Sequence, residues 1–560
     1  MTMGIPPEPR FKRVQVPPAN GTLYLIASGG NAGKGINPAI KLATFLGSAP
    51  AGRHVVINEL TTALALLCSG RISAFPGGMA PFALDLFLRL VDPANARLRA
   101  FPGTPSNGPA LVNTVANALN ACVASGGPTS KECADLLQAT SPVRFNNNAT
   151  DTMSAAESMV FHPDRNLGAL FELAKRSNTY QPALTAPPAG LMLSLNFKGG
   201  GLHRPTAITA ERRADRLWII NSGSNALTVL SSDPFQLGNS LAGSGGLQIK
   251  GLRQPSALWF EESVRMPPPD SGPIGPNTKQ WWVTPNRIWV TDKSANELTA
   301  ITPEDGGRFS TSLFRGNGLA APSGIIGYPN NVIYDRIGGR YILYALLMVT
   351  NSKADRVSFF RLDGTACGPP LEGIGLKNPA GLDYYGAAVL IANSGANNLL
   401  AIKPPDVTCR GATLVERISG GGVDAPRCVA GGFVTNKGNG SVTGLDRNAE
   451  EPARILPGSP FRGGGLAEPE GIARDSEGVL WVANHAPGAN SVSLLAGPLG
   501  LADLGKIQLG QPLSPNSGFA GAGLNRPYGL AIDKSGNLWV TNEGDDSVTM
   551  FVGAAEPLLQ

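Results

Sequence analysis

The chain has 560 residues, with 46 Lys and Arg against 41 Asp and Glu, for a formal net charge of +5. Its basic residues are scattered, as at Arg212, Arg213, Arg253 and Lys279, with no run that would track a nucleic-acid backbone, so no nucleic-acid partner is expected. No stretch of about 18 apolar residues occurs, which excludes a membrane-spanning helix.

The opening MTMGIPPEPRFKRV lacks the apolar centre of a signal peptide. GTLYLIASGG and HVVINELTT read as two short strands running into helix starts. SGGNAGKG resembles a phosphate loop only at first glance. The spacing needs a glycine where Ser28 stands, and Gly35 replaces the hydroxyl residue after Lys34. From residue 37 to 177, apolar residues recur at helical spacing in ALDLFLRLVD, PALVNTVANALNACVAS and NLGALFELAKR. Asn107 and Ser130 stand where N-caps belong. NTYQPALTAPPAG, residues 178–190, reads as a Pro/Ala-rich linker.

The rest of the chain carries seven copies of one pattern. Each opens on a glycine-rich turn, an apolar residue, two variable positions and a proline, as in GGGLHRP from Gly199, GGGLAEP from Gly463 and GAGLNRP from Gly521. A strand ending in Asn or Asp follows, then a tight turn and a second strand, as in WIINSGSNALTVL and WVTNEGDDSVTMF. One such unit cannot bury its own apolar faces, so neighbours must stack, and closing them into a ring removes exposed edges. The expected fold class is an α domain plus an all-β, seven-bladed β-propeller. The apolar-alternating LMLSLNF, residues 191–197, is expected to supply the outer strand of the last blade and close the ring. Copy five is the weak one: ten residues separate Pro426 from Asn436, against fifteen in the last two copies, and its failure would leave six blades. The expected organisation is an extension with a short strand (1–36), a mainly helical domain (37–177), the linker (178–190) and the propeller (191–560).

PEGIARDSEGVLWVAN and PYGLAIDKSGNLWVTN resemble the NHL-type propeller repeat, and the VTN and ANSGAN strings are similar to the YVTN repeat. The resemblance covers the last two-thirds of the chain and implies fold more than function, because propellers host binders, scaffolds, lactonases and lyases. LYLIASGGNAG, VINELTT and ALNACVAS look like the helical region ahead of NHL-type propellers in some bacterial surface proteins. In those relatives a further β domain and an export signal come first, so the resemblance implies that this chain is a shortened or processed form.

Six cysteines allow disulfides, with Cys122–Cys133 and Cys367–Cys409 the candidate pairs, and no Cys or His spacing suggests zinc. Disulfides point to an oxidising, extracytoplasmic location, secreted or at the cell surface.

In an NHL-type blade the post-proline residue starts the innermost strand at one channel mouth. Resemblance therefore places Arg427, Glu470, Tyr528, Ser256 and Ser323 on that mouth as candidate ligand-binding residues. The Asn and Asp residues ending the second strands, Asn221 and Asn484 among them, read as turn-shaping. Lyase and lactonase propellers use channel carboxylates with a divalent metal, and the lyases add a histidine base. The alternative to a non-enzymatic binding propeller is thus a metal-assisted lyase or lactonase with Glu470 and His485 as metal ligand and base. The binding reading implies no cofactor. Insertions in copies two and three carry Trp281, Trp282 and Tyr334, candidate anchors for a protein or glycan partner on the opposite face, or for the helical domain.

Overall fold

The structure, a computed structural model, describes residues 24–46, 54–70, 81–103, 107–143, 147–211, 214–262, 265–266, 282–283, 286–304, 307–327, 331–335, 340–344, 346–406, 408–446, 453–498, 508–521 and 523–556. Among the described residues, six α-helices precede the propeller: α1 (Glu59–Ser69), α2 (Pro81–Leu90), α3 (Gly108–Val123), α4 (Lys131–Ala139), α5 (Thr152–Phe161) and α6 (Leu167–Lys175). Every residue of α1 is buried, and its start is fixed by a capping box in which Asn58 accepts from the Thr61 amide. Asp151 caps α5 in the same way. Asn107 and Ser130 do occupy N-cap positions, but neither side chain makes a capping hydrogen bond.

Two local expectations fail. The partner of strand Tyr24–Ser28 is Lys41–Phe45, inside the region expected to be mainly helical, while residues 54–57 are not a strand and lead into the Asn58 cap. Four of the five residues of Lys41–Phe45 are buried, so pairing and burial together override a helical spacing that spans little more than one turn. Segment 178–190 is tied to the helices. Tyr180 donates to the buried Glu59 at 2.6 Å, and Asn113 and Asn117 donate to the carbonyls of Pro182 and Tyr180.

Seven antiparallel sheets then follow, each led by an inner strand that starts at the proline of one copy: Pro205, Pro255, Pro322, Pro379, Pro426, Pro469 and Pro527. The protein is therefore a seven-bladed propeller. Copy five forms a blade, Pro426–Ala430, Phe433–Asn436 and Ser441–Gly444, so the six-bladed alternative falls. Its short inner strand suffices because the Val442–Phe461 and Leu445–Ile455 bridges stand in for the outer strand. The ring is closed by Ser194–Lys198 pairing with Ser547–Phe551, a little beyond the expected 191–197. Leu191 and Leu193 belong instead to the core that continues into the helices.

Blade contacts follow from the repeat. Trp218, Trp289 and Trp539 are fully buried, and each indole N–H donates to a carboxylate near the end of its own inner strand, Glu211, Glu261 and Asp533. The threonine of the VTN strings joins neighbouring blades: Thr350 donates to Ala380 O at 2.8 Å and Thr435 to Glu470 O at 2.9 Å. Thr541 donates to Thr206 O at 2.6 Å, from the last blade to the first, and accepts from the Gly529 amide. Thr541→Val keeps the shape but strands both partners in a buried setting. It is expected to cost about 1–3 kcal/mol in denaturant unfolding, and a change within error would show that this bond does not hold the ring.

Candidate functional site

In all seven blades the register of the inner strand slips just after the proline. A bulge of this kind re-aims one side chain out of the sheet alternation, and here it falls on the residues expected at the mouth. The residue before the proline is left-handed in most copies, as at Arg204 (φ 47°) and Arg526 (φ 49°).

Arg427, Glu470, Tyr528, Ser256 and Ser323 all line one cavity of about 300 Å³ at this end of the channel. Their roles differ. The Ser256 and Ser323 hydroxyls bond the next blade, donating to Pro322 O at 2.7 Å and Pro379 O at 2.6 Å, so they are occupied by ring structure. Glu470 is 4 % exposed, and Lys437 donates to its Oε1 at 2.6 Å while Arg427 Nε lies 3.5 Å from its Oε2. Glu470 is thus a buried carboxylate shared by two cations. Tyr528 is raised well above the usual phenol range, first by burial and then by the Glu470 charge, so its hydroxyl stays a donor at neutral pH.

His485 does not meet Glu470. It is 5 % exposed, its Nε2 is 2.7 Å from Glu543 Oε2, and its ring stands edge-on to Tyr528 at 5.4 Å. Glu543 also accepts from Arg204 and lies 3.3 Å from the Arg526 guanidinium. Desolvation works to raise the Glu543 pKa, but the hydrogen bonds from His485 and Arg204 and the charge of Arg526 outweigh it and hold it below the ordinary value. A carboxyl depressed on folding lends stability that is present above its unfolded pKa and lost as pH falls through the folded one. Glu543→Gln is therefore expected to reduce the loss of stability between about pH 5 and pH 3 relative to wild type, measured as unfolding midpoint against pH. Parallel curves over that range would contradict the assignment.

Lys293 and Lys437 were missed from sequence, although a signal was there. Each directly follows the Asn or Asp that ends a second strand, so one further step along the repeat reaches a second ring that contains both, together with Glu543 and His485. The Asn residues themselves shape turns: Asn542 donates to Ser547 and Thr549, and Asn436 to Ser441 and Thr443. Among the described residues, no group of three His, Cys, Asp or Glu is placed to hold a metal ion. Of the insertion residues, Trp281 lies outside the described residues. Trp282 falls in the short pair Trp282–Val283 with Arg265–Met266, and Tyr334 in the hairpin Asn331–Asp335 with Arg340–Tyr344. Both hairpins follow the far ends of inner strands, away from the mouth. Cys122–Cys133 and Cys367–Cys409 are disulfides, and Cys68 and Cys428 are free.

The class so defined is a seven-bladed β-propeller with a charged, partly buried cavity at one mouth. No protein-family model matches the chain, and no curated protein matches it. Solved structures similar to it are propellers of low identity. A streptogramin B lyase is 14% identical, with a TM-score of 0.41 over 64% of this chain and 96% of that one. The RRP9 WD40 repeats are 12% identical, with a TM-score of 0.38 over 64% and 96%. A putative 6-phosphogluconolactonase from Bacteroides uniformis is 12% identical, with a TM-score of 0.36 over 60% and 88%.

Proposed function

We propose that the protein is a non-enzymatic binding propeller whose ligand sits in the mouth cavity, against Arg427 and Tyr528. The observation that carries this reading is the convergence of those two residues on one cavity with donor groups to spare. The terminal nitrogens of Arg427 and the Tyr528 hydroxyl have no hydrogen-bond acceptor among the described residues. Donors held in place by a rigid ring, and left without a protein partner, suit recognition of a small polar molecule.

The alternative, a metal-assisted lyase or lactonase, needs mouth carboxylates free to coordinate. Glu470 is held by Lys437 and Arg427, and Glu543 by Arg204, Arg526 and His485, so a divalent ion would have to displace a cation at each. That charge arrangement favours binding over metal chemistry. The two disulfides support a place outside the reducing cytosol, and no helix among the described residues is long and apolar enough to cross a membrane. The far-face hairpins with Trp282 and Tyr334 are proposed as a contact surface for a protein or glycan.

The test is a fragment screen by ligand-observed NMR on wild type and on the Arg427→Met, Tyr528→Phe double variant. Mouth binding predicts fragments that bind wild type and lose their signal in the variant, whereas an unchanged hit set would sink it. Elemental analysis after dialysis without chelator addresses the alternative. One stoichiometric divalent ion, lost in Glu470→Gln, would put the enzyme reading first.

A further inference from the structure

The mouth cavity holds more positive than negative charge, and its cations meet across the channel. Lys293, just beyond the second strand of blade two, lines the same cavity as Arg427 from blade five. Among the described residues the Lys293 side chain has no hydrogen-bond or ion-pair partner, although it is half-buried. Burial, and then the charge of Arg427, lowers its pKa, so the two cations repel each other across the cavity they share. Glu470, the carboxylate among the described residues that line the cavity, is already committed, Oε1 to Lys437 and Oε2 facing Arg427 Nε. That Nε is itself buried without a hydrogen bond.

Beneath this polar ring the channel wall changes character. Ile208, Ile325, Leu382, Ile472 and Leu530, from five inner strands, line the same cavity. The bulge after each proline explains the layering: the residue at the slip faces the mouth, and the next inward position presents an aliphatic side chain. A cavity of about 300 Å³ lies at the small end of the range for ligand sites.

We propose that the mouth takes a small organic carboxylate, its charge between Lys293 and Arg427, the Tyr528 hydroxyl donating to it, and its apolar body on the aliphatic ring. This rests on the mouth being the ligand site and adds the class of ligand. The carboxylate supplies the anion that Lys293 lacks, and Arg427, whose Nε faces Glu470, offers its terminal nitrogens to the ligand oxygens. A neutral ligand would leave the like charges facing each other, and a cation would add a third.

The experiment uses the full chain at fixed ionic strength with four aromatic probes: benzoate, phenyl phosphate, neutral benzamide and cationic benzylamine. Benzoate is expected to bind best. Its affinity should fall about tenfold or more in Lys293→Met and in Arg427→Met, while Lys293→Arg retains it. Near-UV circular dichroism matching wild type shows that each variant is folded, and Lys293→Gln replaces Lys293→Met if that variant is not. Benzamide or benzylamine binding better than benzoate, and lost in Arg427→Met, would overturn the carboxylate while leaving the mouth as the ligand site. Phenyl phosphate bound more tightly through the same residues would overturn it in favour of phosphate esters. No probe of any charge responding to the substitutions would overturn both readings.

Discussion

Gly70→Ala is expected to destabilise the protein by about 3–6 kcal/mol, through the seat of the helices on the last blade. Gly70 ends α1 with φ 58° and ψ −147°, a region open almost only to glycine. An added Cβ would stand 2.1 Å from Gly553 O and 2.3 Å from Gly553 Cα, backbone atoms that cannot turn aside. Gly553 is left-handed for the same reason, φ 54°, and its own Cβ would meet Gly70 Cα at 2.6 Å. Two backbones at this separation are what allow the core of α1, with Leu64 and Leu67, to run on into Leu193, Trp539 and Val552. Gly33→Ala is the control, since Gly33 also has positive φ (105°) but nothing within 4 Å of a new Cβ. It isolates backbone strain and is expected to cost no more than about 1–3 kcal/mol. Equal losses in the two variants, by denaturant unfolding, would show that the close approach carries no weight.

Loss of the Cys367–Cys409 disulfide is the second large effect. The cysteines are 42 residues apart, one following blade three's last strand and one inside blade four, so the bridge clamps the rims of two neighbouring blades. In the chain-entropy account a loop of that size is worth about 4 kcal/mol, and the Cys122–Cys133 loop, with a separation of 11, about 3 kcal/mol. The Cys367→Ser, Cys409→Ser double variant is expected to unfold at clearly lower denaturant, and reductant to move wild type toward the variant. A wild-type midpoint indifferent to reductant, with both disulfides shown to be open, would remove the support that the bridges give to an oxidising compartment.

Much of this architecture was legible in the chain because a repeat multiplies weak signals. One glycine–proline turn means little, whereas seven in register locate every inner strand, and the Asn or Asp that ends each second strand turns out to bond within its own hairpin. The local exceptions come where tertiary pairing decides, as at Lys41–Phe45, or where a fourth strand is reduced to isolated bridges such as Val492–Phe519. The mouth was legible in part. The post-proline position named Arg427, Glu470 and Tyr528, because a fixed offset within a repeat maps to a fixed height in the ring. Pairing was not legible, since it depends on which side chains reach across blades. Lys437 finds Glu470 at a separation of 33 residues and His485 finds Glu543 at 58, distances that the curvature of the ring sets and no local pattern records.

The most direct test is a crystal structure of the full chain soaked with benzoate. The prediction is density for its carboxylate between the Lys293 ammonium and the Arg427 guanidinium, within hydrogen-bond reach of Tyr528, with the ring toward Ile325 and Leu382. Benzoate ordered elsewhere on the molecule, with the mouth holding only water at the same concentration, would contradict the account.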